Sequence, residues 1–220
     1  MKKIAIITMT LSLGLLAACN KSTTTTTTNP SSTSSSSSSS IDAMSSSSKS
    51  AGSVQWDGTL LKGKHQVVLK TNKGDITLEL DADTAPKTVT NFVSLSKSGY
   101  YNGLTFHRVI PGFMIQGGDP TGNGTGGKSV FGEMFEDEID PASATYKTGY
   151  KAGVIAMANR GPNTNGSQFF IMDTDYPLPP NYTIFGRVTA GQDVVGIIAR
   201  VARDGSDMPK DKVTFDVVLK

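Results

Sequence analysis

The chain has 220 residues, with 21 Lys plus Arg, 19 Asp plus Glu, one Cys and two His, and this length allows one or two domains. A single thiol excludes an intramolecular disulfide framework and a Cys-rich zinc site. Residues 51–220 carry 17 basic and 18 acidic side chains, so they lack the basic excess of nucleic-acid-binding proteins, and we expect no nucleic-acid partner.

The N-terminus has the pattern of a signal peptide. A short cationic start, Met1-Lys2-Lys3, precedes an apolar run over 4–18 that is too short to span a bilayer, which needs ~20 residues. The run ends in Leu16-Ala17-Ala18-Cys19, which resembles the bacterial lipobox, where the Cys is lipidated and the peptide is cut before it. We predict a lipoprotein signal peptide over 1–18, lipidation of Cys19 and a location at the extracytoplasmic face of the cell membrane. An ordinary secretory signal with an incidental Cys is the alternative.

A Ser/Thr-rich segment follows the signal. Of the 29 residues in 22–50, 22 are Ser or Thr, and a segment with so little to bury does not fold. We predict a disordered tether over 19–53 and one folded domain over 54–220, whose length suffices for a single core.

The folded domain is predicted to be rich in short strands. Runs at 66–71 and 75–80 flank Asn72-Lys73-Gly74, which is typical of a hairpin with Gly at positive φ, and Ile76, Leu78 and Leu80 share one face. Further strand-like runs cover 104–109, 113–116, 153–158, 168–172, 183–188 and 213–219.

Two helices complete the predicted elements. One is capped by Thr84, begins near Pro86 and ends before Gly99, and the other covers 192–201. Many short strands with two helices favour a mainly β fold, a closed antiparallel barrel, over a doubly wound sheet.

Residues 122–129 match the P-loop pattern, with Lys128 as its lysine, and also G-x-G-x-x-G. A P-loop directs backbone N–H groups and a helix N-terminus at phosphate, so a strand must precede it and a helix must follow it. Here Gly117-Gly118-Asp119-Pro120 precedes the motif, and the acidic Glu136-Asp137-Glu138 comes shortly after it. We therefore reject nucleotide binding.

The sequence also lacks the residues that hydrolytic or metal-dependent catalysis requires. The domain has no Cys, and His65 and His107 are too far apart in sequence for a local metal-binding pattern, so we predict no catalytic triad and no metal site.

The densest cluster of polar and apolar residues lies at 106–119. Alternation along two strands puts Phe106, Arg108 and Ile110 on one face, and Met114 and Gln116 together on a face of the next strand. An Arg and a Gln beside Met and Phe predict an apolar pocket with directed donors.

Three blocks, at 106–119, 124–129 and 157–171, strongly resemble the cyclophilin family of peptidyl-prolyl cis-trans isomerases, and the resemblance covers roughly 66–219. It implies an eight-stranded antiparallel barrel capped by two helices, and catalysis of X-Pro bond rotation without a cofactor. The resemblance also implies that Arg108, Gln116 and Phe113 are catalytic. The residues that it implies in substrate binding are His107, Met114, Gly124, Ala158, Asn159, Arg160, Gln168, Phe170, Leu178 and Tyr182. On composition alone, the apolar members are ordinary core residues and Arg108 is a solvated strand charge.

Three positions depart from the family pattern. Pro177 stands where the family usually has a pocket-edge Trp, Tyr182 where it has a His, and Arg160 where it commonly has a small residue. The first predicts weakened cyclosporin binding, the second keeps a hydrogen-bond donor, and the third adds a cation that favours acidic substrate flanks.

These observations predict a monomeric, lipid-anchored prolyl isomerase that assists folding. The expected partners are the membrane and proline-containing, unfolded or partly folded exported polypeptides. The alternatives are a binding module or adhesin that only holds proline-rich segments, and a nucleotide-binding protein that depends on Lys128.

Overall fold

The computed structural model describes residues 56–220. The signal peptide predicted over 1–18, the lipidation of Cys19 and the tether over 19–53 lie outside the described residues. In the part of the chain that is described, no helix has both the length and the apolar character needed to cross a membrane.

Strands form most of the regular structure. The nine strands of residues 56–220 are β1 (Lys64–Thr71), β2 (Gly74–Asp81), β3 (Leu104–Thr105), β4 (Arg108–Ile110), β5 (Met114–Gly117), β6 (Val154–Met157), β7 (Phe169–Met172), β8 (Ile184–Ala190) and β9 (Thr214–Leu219). The same residues form three helices, α1 (Pro86–Lys97), α2 (Ala144–Thr148) and α3 (Gln192–Ala199).

All nine strands belong to one antiparallel sheet in the order β3-β9-β1-β2-β8-β6-β7-β5-β4. The sheet is open and curled, so the mainly β prediction is confirmed, but the prediction of a closed eight-stranded barrel is wrong. The run predicted as one strand over 104–109 breaks at its centre, because the Phe106 amide donates to the Val213 carbonyl (3.0 Å) and the His107 amide donates to the Gln116 carbonyl (3.0 Å). The two pieces therefore lie on opposite edges of the sheet.

The first hairpin has the predicted form. Thr71 pairs with Gly74, whose φ of +128° lies in the region that favours glycine. Ile76, Leu78 and Leu80 are all fully buried on one face of β2.

Helix α1 begins at Pro86 as expected, but the prediction that Thr84 caps it is wrong. Thr84 Oγ1 donates to Asp81 (2.9 Å), and the N-cap position is Ala85. The distant Glu138 instead accepts the amides of Lys87 (2.9 Å) and Thr88 (2.8 Å), which supplies the free N–H groups of the first turn with a carboxylate.

The helix count also differs from the prediction. The short helix α2 was not expected from the sequence, and α3 ends at Ala199, two residues earlier than predicted.

Alternation along β5 and β7 divides the apolar residues between two clusters. Ile115, Phe169 and Ile171 enter the main core with α1 and the first hairpin, whereas Met114 and Phe170 point to a second cluster on the other face. The expectation that Phe106 shares a face with Arg108 is wrong, because the break at 106–107 turns its ring into the main core.

Candidate active site

The hairpin of β4 and β5 places the predicted catalytic pair. Arg108 is directly opposite Gln116, and Ile110 is directly opposite Met114. Arg108 is exposed while Met114 is buried, so the hairpin presents a cationic group next to an apolar surface.

An apolar cluster, which is the predicted proline pocket, lies beside this hairpin. The second cluster brings together six of the predicted site residues, namely Phe113, Met114, Ala158, Phe170, Leu178 and Tyr182. The rings of Phe170 and Tyr182 meet edge to face, with centroids 5.4 Å apart. Residues distant in sequence therefore meet in one apolar cluster.

A groove of about 520 Å³ adjoins the pocket. Its walls include the predicted residues Gln116, Gly124, Ala158, Asn159, Arg160 and Gln168. Ala158 belongs to both the groove and the apolar cluster, so the two surfaces are continuous.

Amide side chains fix the shape of the groove. Gln116 Nε2 donates to Gln168 Oε1 (2.9 Å), and Gln168 Nε2 donates in turn to the carbonyls of Gly124 (3.0 Å) and Gly126 (2.8 Å). This chain of hydrogen bonds connects the β4–β5 hairpin to the glycine-rich loop at 122–127.

Two further side chains bridge the rim of the groove. Asn159 Nδ2 donates to the Asn181 carbonyl (2.8 Å), and the Arg160 guanidinium donates to the Thr125 carbonyl. The Arg160 side chain therefore places its positive charge next to Thr125 on the wall of the groove.

His107 lies beneath the loop. It is 5% exposed, and neither ring nitrogen has a hydrogen-bond partner among residues 56–220. A Cβ added at Gly124 would be 3.6 Å from His107 Nε2, so the ring supports the loop from below. Burial lowers the pKa of His107, against the opposing effect of the nearby Asp119 carboxylate.

The glycine-rich loop binds a carboxylate of its own chain. The 1% exposed Asp119 accepts the amides of Thr121 (2.8 Å), Asn123 (3.2 Å) and Gly124 (2.6 Å). Burial alone would raise the pKa of Asp119, but the hydrogen bonds from the loop outweigh it and lower the pKa.

Two amides of the P-loop pattern, those of Asn123 and Gly124, thus already bind the Asp119 carboxylate. No helix follows the pattern within the described residues until α2. Both observations are inconsistent with a phosphate site at 122–129.

Sequence reasoning missed two residues near the pocket. The ring of Tyr176 packs on that of Phe113, with centroids 4.5 Å apart, and remains 44% exposed at the pocket edge. The buried Asp173 accepts the Gly112 amide (2.7 Å) and so holds the turn that leads into Phe113. Tyr176 could have been found from its position next to Pro177, where the family usually has a Trp. Nothing in the sequence indicated that Asp173 contacts the Gly112 amide.

Comparisons with known proteins agree with this geometry. Residues 66–218 match the family model described as cyclophilin type peptidyl-prolyl cis-trans isomerase/CLD. Peptidyl-prolyl cis-trans isomerase-like 1 of Gibberella zeae is 51% identical over 148 residues, which are 67% of this chain and 89% of that protein. Peptidyl-prolyl cis-trans isomerase ppi1 of Schizosaccharomyces pombe is 52% identical over 144 residues, which are 65% of this chain and 90% of that protein.

The fold has solved counterparts as well. A crystal structure of a Cryptosporidium parvum cyclophilin type peptidyl-prolyl cis-trans isomerase aligns with a TM-score of 0.67 and 42% identity, covering 71% of this chain and 98% of that one. A second structure of that protein, in the presence of the dipeptide Ala-Pro, has a TM-score of 0.66.

These relatives correct one prediction. The location at a cell membrane, as a bacterial lipoprotein, is wrong on this comparison, because the relatives at this level of identity are fungal proteins of the isomerase-like 1 type. The prediction that the substrates are exported proteins depended on that location and is therefore no longer supported.

The family match covers more than half of the chain and includes both the β4–β5 hairpin and the second apolar cluster. The chain belongs to the cyclophilin-type peptidyl-prolyl cis-trans isomerase family and is an enzyme of that class.

Proposed function

We propose that the enzyme rotates X-Pro bonds in unfolded or partly folded polypeptides, with the proline ring in the apolar pocket and Arg108 acting on the twisted bond. The observation that carries this proposal is the direct cross-strand pairing of Arg108 with Gln116 beside Met114.

The chemistry needs no covalent bond to a side chain. Rotation about an X-Pro bond has a barrier of ~18 to 20 kcal/mol because it breaks amide resonance. At the top of the barrier the proline nitrogen becomes pyramidal and gains a lone pair, to which the Arg108 guanidinium donates only in that state. Such selective stabilisation of the transition state lowers the barrier.

The pocket supplies ground-state binding. The proline ring is buried by Phe113, Met114, Phe170 and Leu178, so the residues after the proline are held in place. The carbonyl before the proline rotates past Arg108. The Ala-Pro dipeptide present with the Cryptosporidium parvum protein supports a proline-containing ligand for this site.

The groove holds the peptide on the other side of the rotating bond. Gln116 and Gln168 are already fixed by mutual hydrogen bonds, so their remaining polar atoms face the substrate backbone without further ordering. Arg160 at the rim favours substrates with acidic residues near the proline.

The test is an isomerisation assay on a proline peptide, either protease-coupled or followed by NMR exchange. Arg108→Ala is expected to lower kcat/KM by roughly 10²-fold, the usual effect of removing a preorganised donor. Arg108→Lys should recover little of this loss, because an ammonium lacks the planar fork.

Arg187→Ala is the matched control, since Arg187 is an exposed strand arginine that pairs with Glu79 outside the site. Near-normal turnover by a folded Arg108→Ala protein would instead place the chain among modules that bind proline-rich segments without catalysis.

A further inference from the structure

The loop between α3 and β9 reaches the catalytic hairpin. The Val109 amide donates to the Asp207 carbonyl (2.9 Å), which fixes the loop next to Arg108. The Asp207 carboxylate then lies between two guanidinium groups, with Oδ2 4.0 Å from Arg108 Nε and Oδ1 3.1 Å from Arg203 Nε. Asp207 is the only acidic partner of Arg108 within residues 56–220.

The backbone conformation at Asp207 directs its carboxylate toward Arg108. Asp207 has a φ of +62°, in the left-handed region that non-glycine residues rarely adopt. Asp204 stabilises the turn, because its Oδ1 accepts the amides of Ser206 (2.8 Å) and Met208 (3.0 Å), and its carbonyl accepts the amide of Asp207 (3.2 Å). An unfavourable conformation is thus maintained at the residue that faces the catalytic cation.

We propose that Asp207 is a positioning residue for Arg108. Its carboxylate attracts the Nε end of the guanidinium and leaves the two Nη groups free to donate to the substrate. A long, exposed Arg side chain without such a partner samples many rotamers, and a donor that must be ordered during the reaction stabilises the transition state less.

Arg203 completes the arrangement by holding the other carboxylate oxygen. The inference rests on the proposed catalytic role of Arg108 and extends it to the loop that orients this residue.

The main test is Asp207→Asn. Asn tolerates the left-handed region almost as well as Asp, so this variant removes the charge and keeps the backbone shape. We expect kcat to fall by roughly two- to fivefold, the scale of a partly exposed ion pair, with KM little changed. Asp211→Asn is the matched control, because it removes the same charge from an exposed position of the same loop. Arg203→Gln should give a smaller loss in the same direction.

A double-mutant cycle shows whether Asp207 acts through Arg108. The residual activity of Arg108→Ala is measured at high enzyme concentration, with and without Asp207→Asn, and thermal denaturation checks that each protein is folded. We expect no further loss from Asp207→Asn in that background, because the group that it positions is absent.

Two results would overturn the inference: unchanged kcat in Asp207→Asn, or the same fold-loss in both backgrounds. Normal activity of Arg108→Ala itself would overturn the proposed function, so the two failures are distinguishable.

Discussion

At the pocket edge, one residue separates this chain from the usual family pattern. Pro177 is exposed where the family has a Trp, and the neighbouring Tyr176 covers Phe113 instead. A phenol ring on Phe113 preserves part of the aromatic surface that a proline substrate meets. It does not provide the indole N–H at position 177, which a lipophilic macrocycle can use.

We therefore expect cyclosporin to inhibit this enzyme about tenfold to more than a hundredfold less than a Pro177→Trp variant, the effect of ~1 to 3 kcal/mol from one hydrogen bond and part of an aromatic contact. The measurement is an inhibition titration of both proteins in the same assay. Turnover of a short proline peptide, which lies deeper on Met114 and Phe170, serves as the control and should differ little. Equal inhibition would show that residue 177 is not at the pocket edge.

Most of the predicted pocket and groove residues that the fold brings together lie in continuous blocks that resemble the family, and Leu178 and Tyr182 follow the last block closely. The sequence did not identify Tyr176, Asp173 or Asp207, because the role of each depends on a contact between distant segments. Asp207 is an example: in the sequence it is one of several acidic residues in a polar loop, and only the fold brings it to Arg108.

At the scale of elements, the N-terminus of α1 is capped by a carboxylate about 50 residues away in the sequence. Glu138 accepts two first-turn amides and the Thr88 hydroxyl (2.7 Å), so it acts as an N-cap supplied by another segment. Glu138→Ala should lower the free energy of unfolding by ~1 to 2 kcal/mol, as loss of a cap does. Urea denaturation measures this change.

The matched control for this prediction is Glu136→Ala. Glu136 is exposed and pairs with the Lys87 ammonium rather than with helix amides, so its loss should cost less than about 1 kcal/mol. Equal destabilisation by the two substitutions would contradict the capping role of Glu138.

Strand positions were predicted well for β2 and β9, in which buried residues alternate with more exposed ones. The prediction failed over 104–109, since the local pattern is continuous and only the contacts with Val213 and Gln116 divide it. Helix α2 is too short to have a periodicity of its own. It is stabilised by Ser143, whose Oγ accepts the Tyr146 amide (3.4 Å), and by the packing of Tyr146 in the second cluster.

At the scale of the whole molecule, buried tyrosines are expected to make the stability fall at alkaline pH. Burial raises the pKa of Tyr146 and of Tyr150 to about 12, and it raises the pKa of the fully buried Tyr101 well above its ordinary value of 10. Between pH 10 and about 12 the unfolded chain loses these protons while the folded protein keeps them, so stability falls as the pH rises.

We expect the free energy of unfolding to be nearly constant just below pH 10 and to decrease above it, by at most about 1.4 kcal/mol per pH unit for each tyrosine. Urea denaturation from pH 8 to 11 tests this. Tyr150→Phe should reduce the slope, because it removes one of the buried phenols whose pKa is raised. Identical slopes in wild type and Tyr150→Phe would contradict the prediction.

The position of β9 in the sheet has a consequence for biosynthesis. Among residues 56–220 this strand is the last in the chain, yet it pairs with β1 on one side and with β3 on the other. While the ribosome is still making the chain, β3 therefore has no strand to pair with, and the Phe106 amide lacks its partner, the Val213 carbonyl. We therefore expect activity to appear only after β9 has emerged, so that any slow proline isomerisation in the growing chain proceeds without help from its own active site.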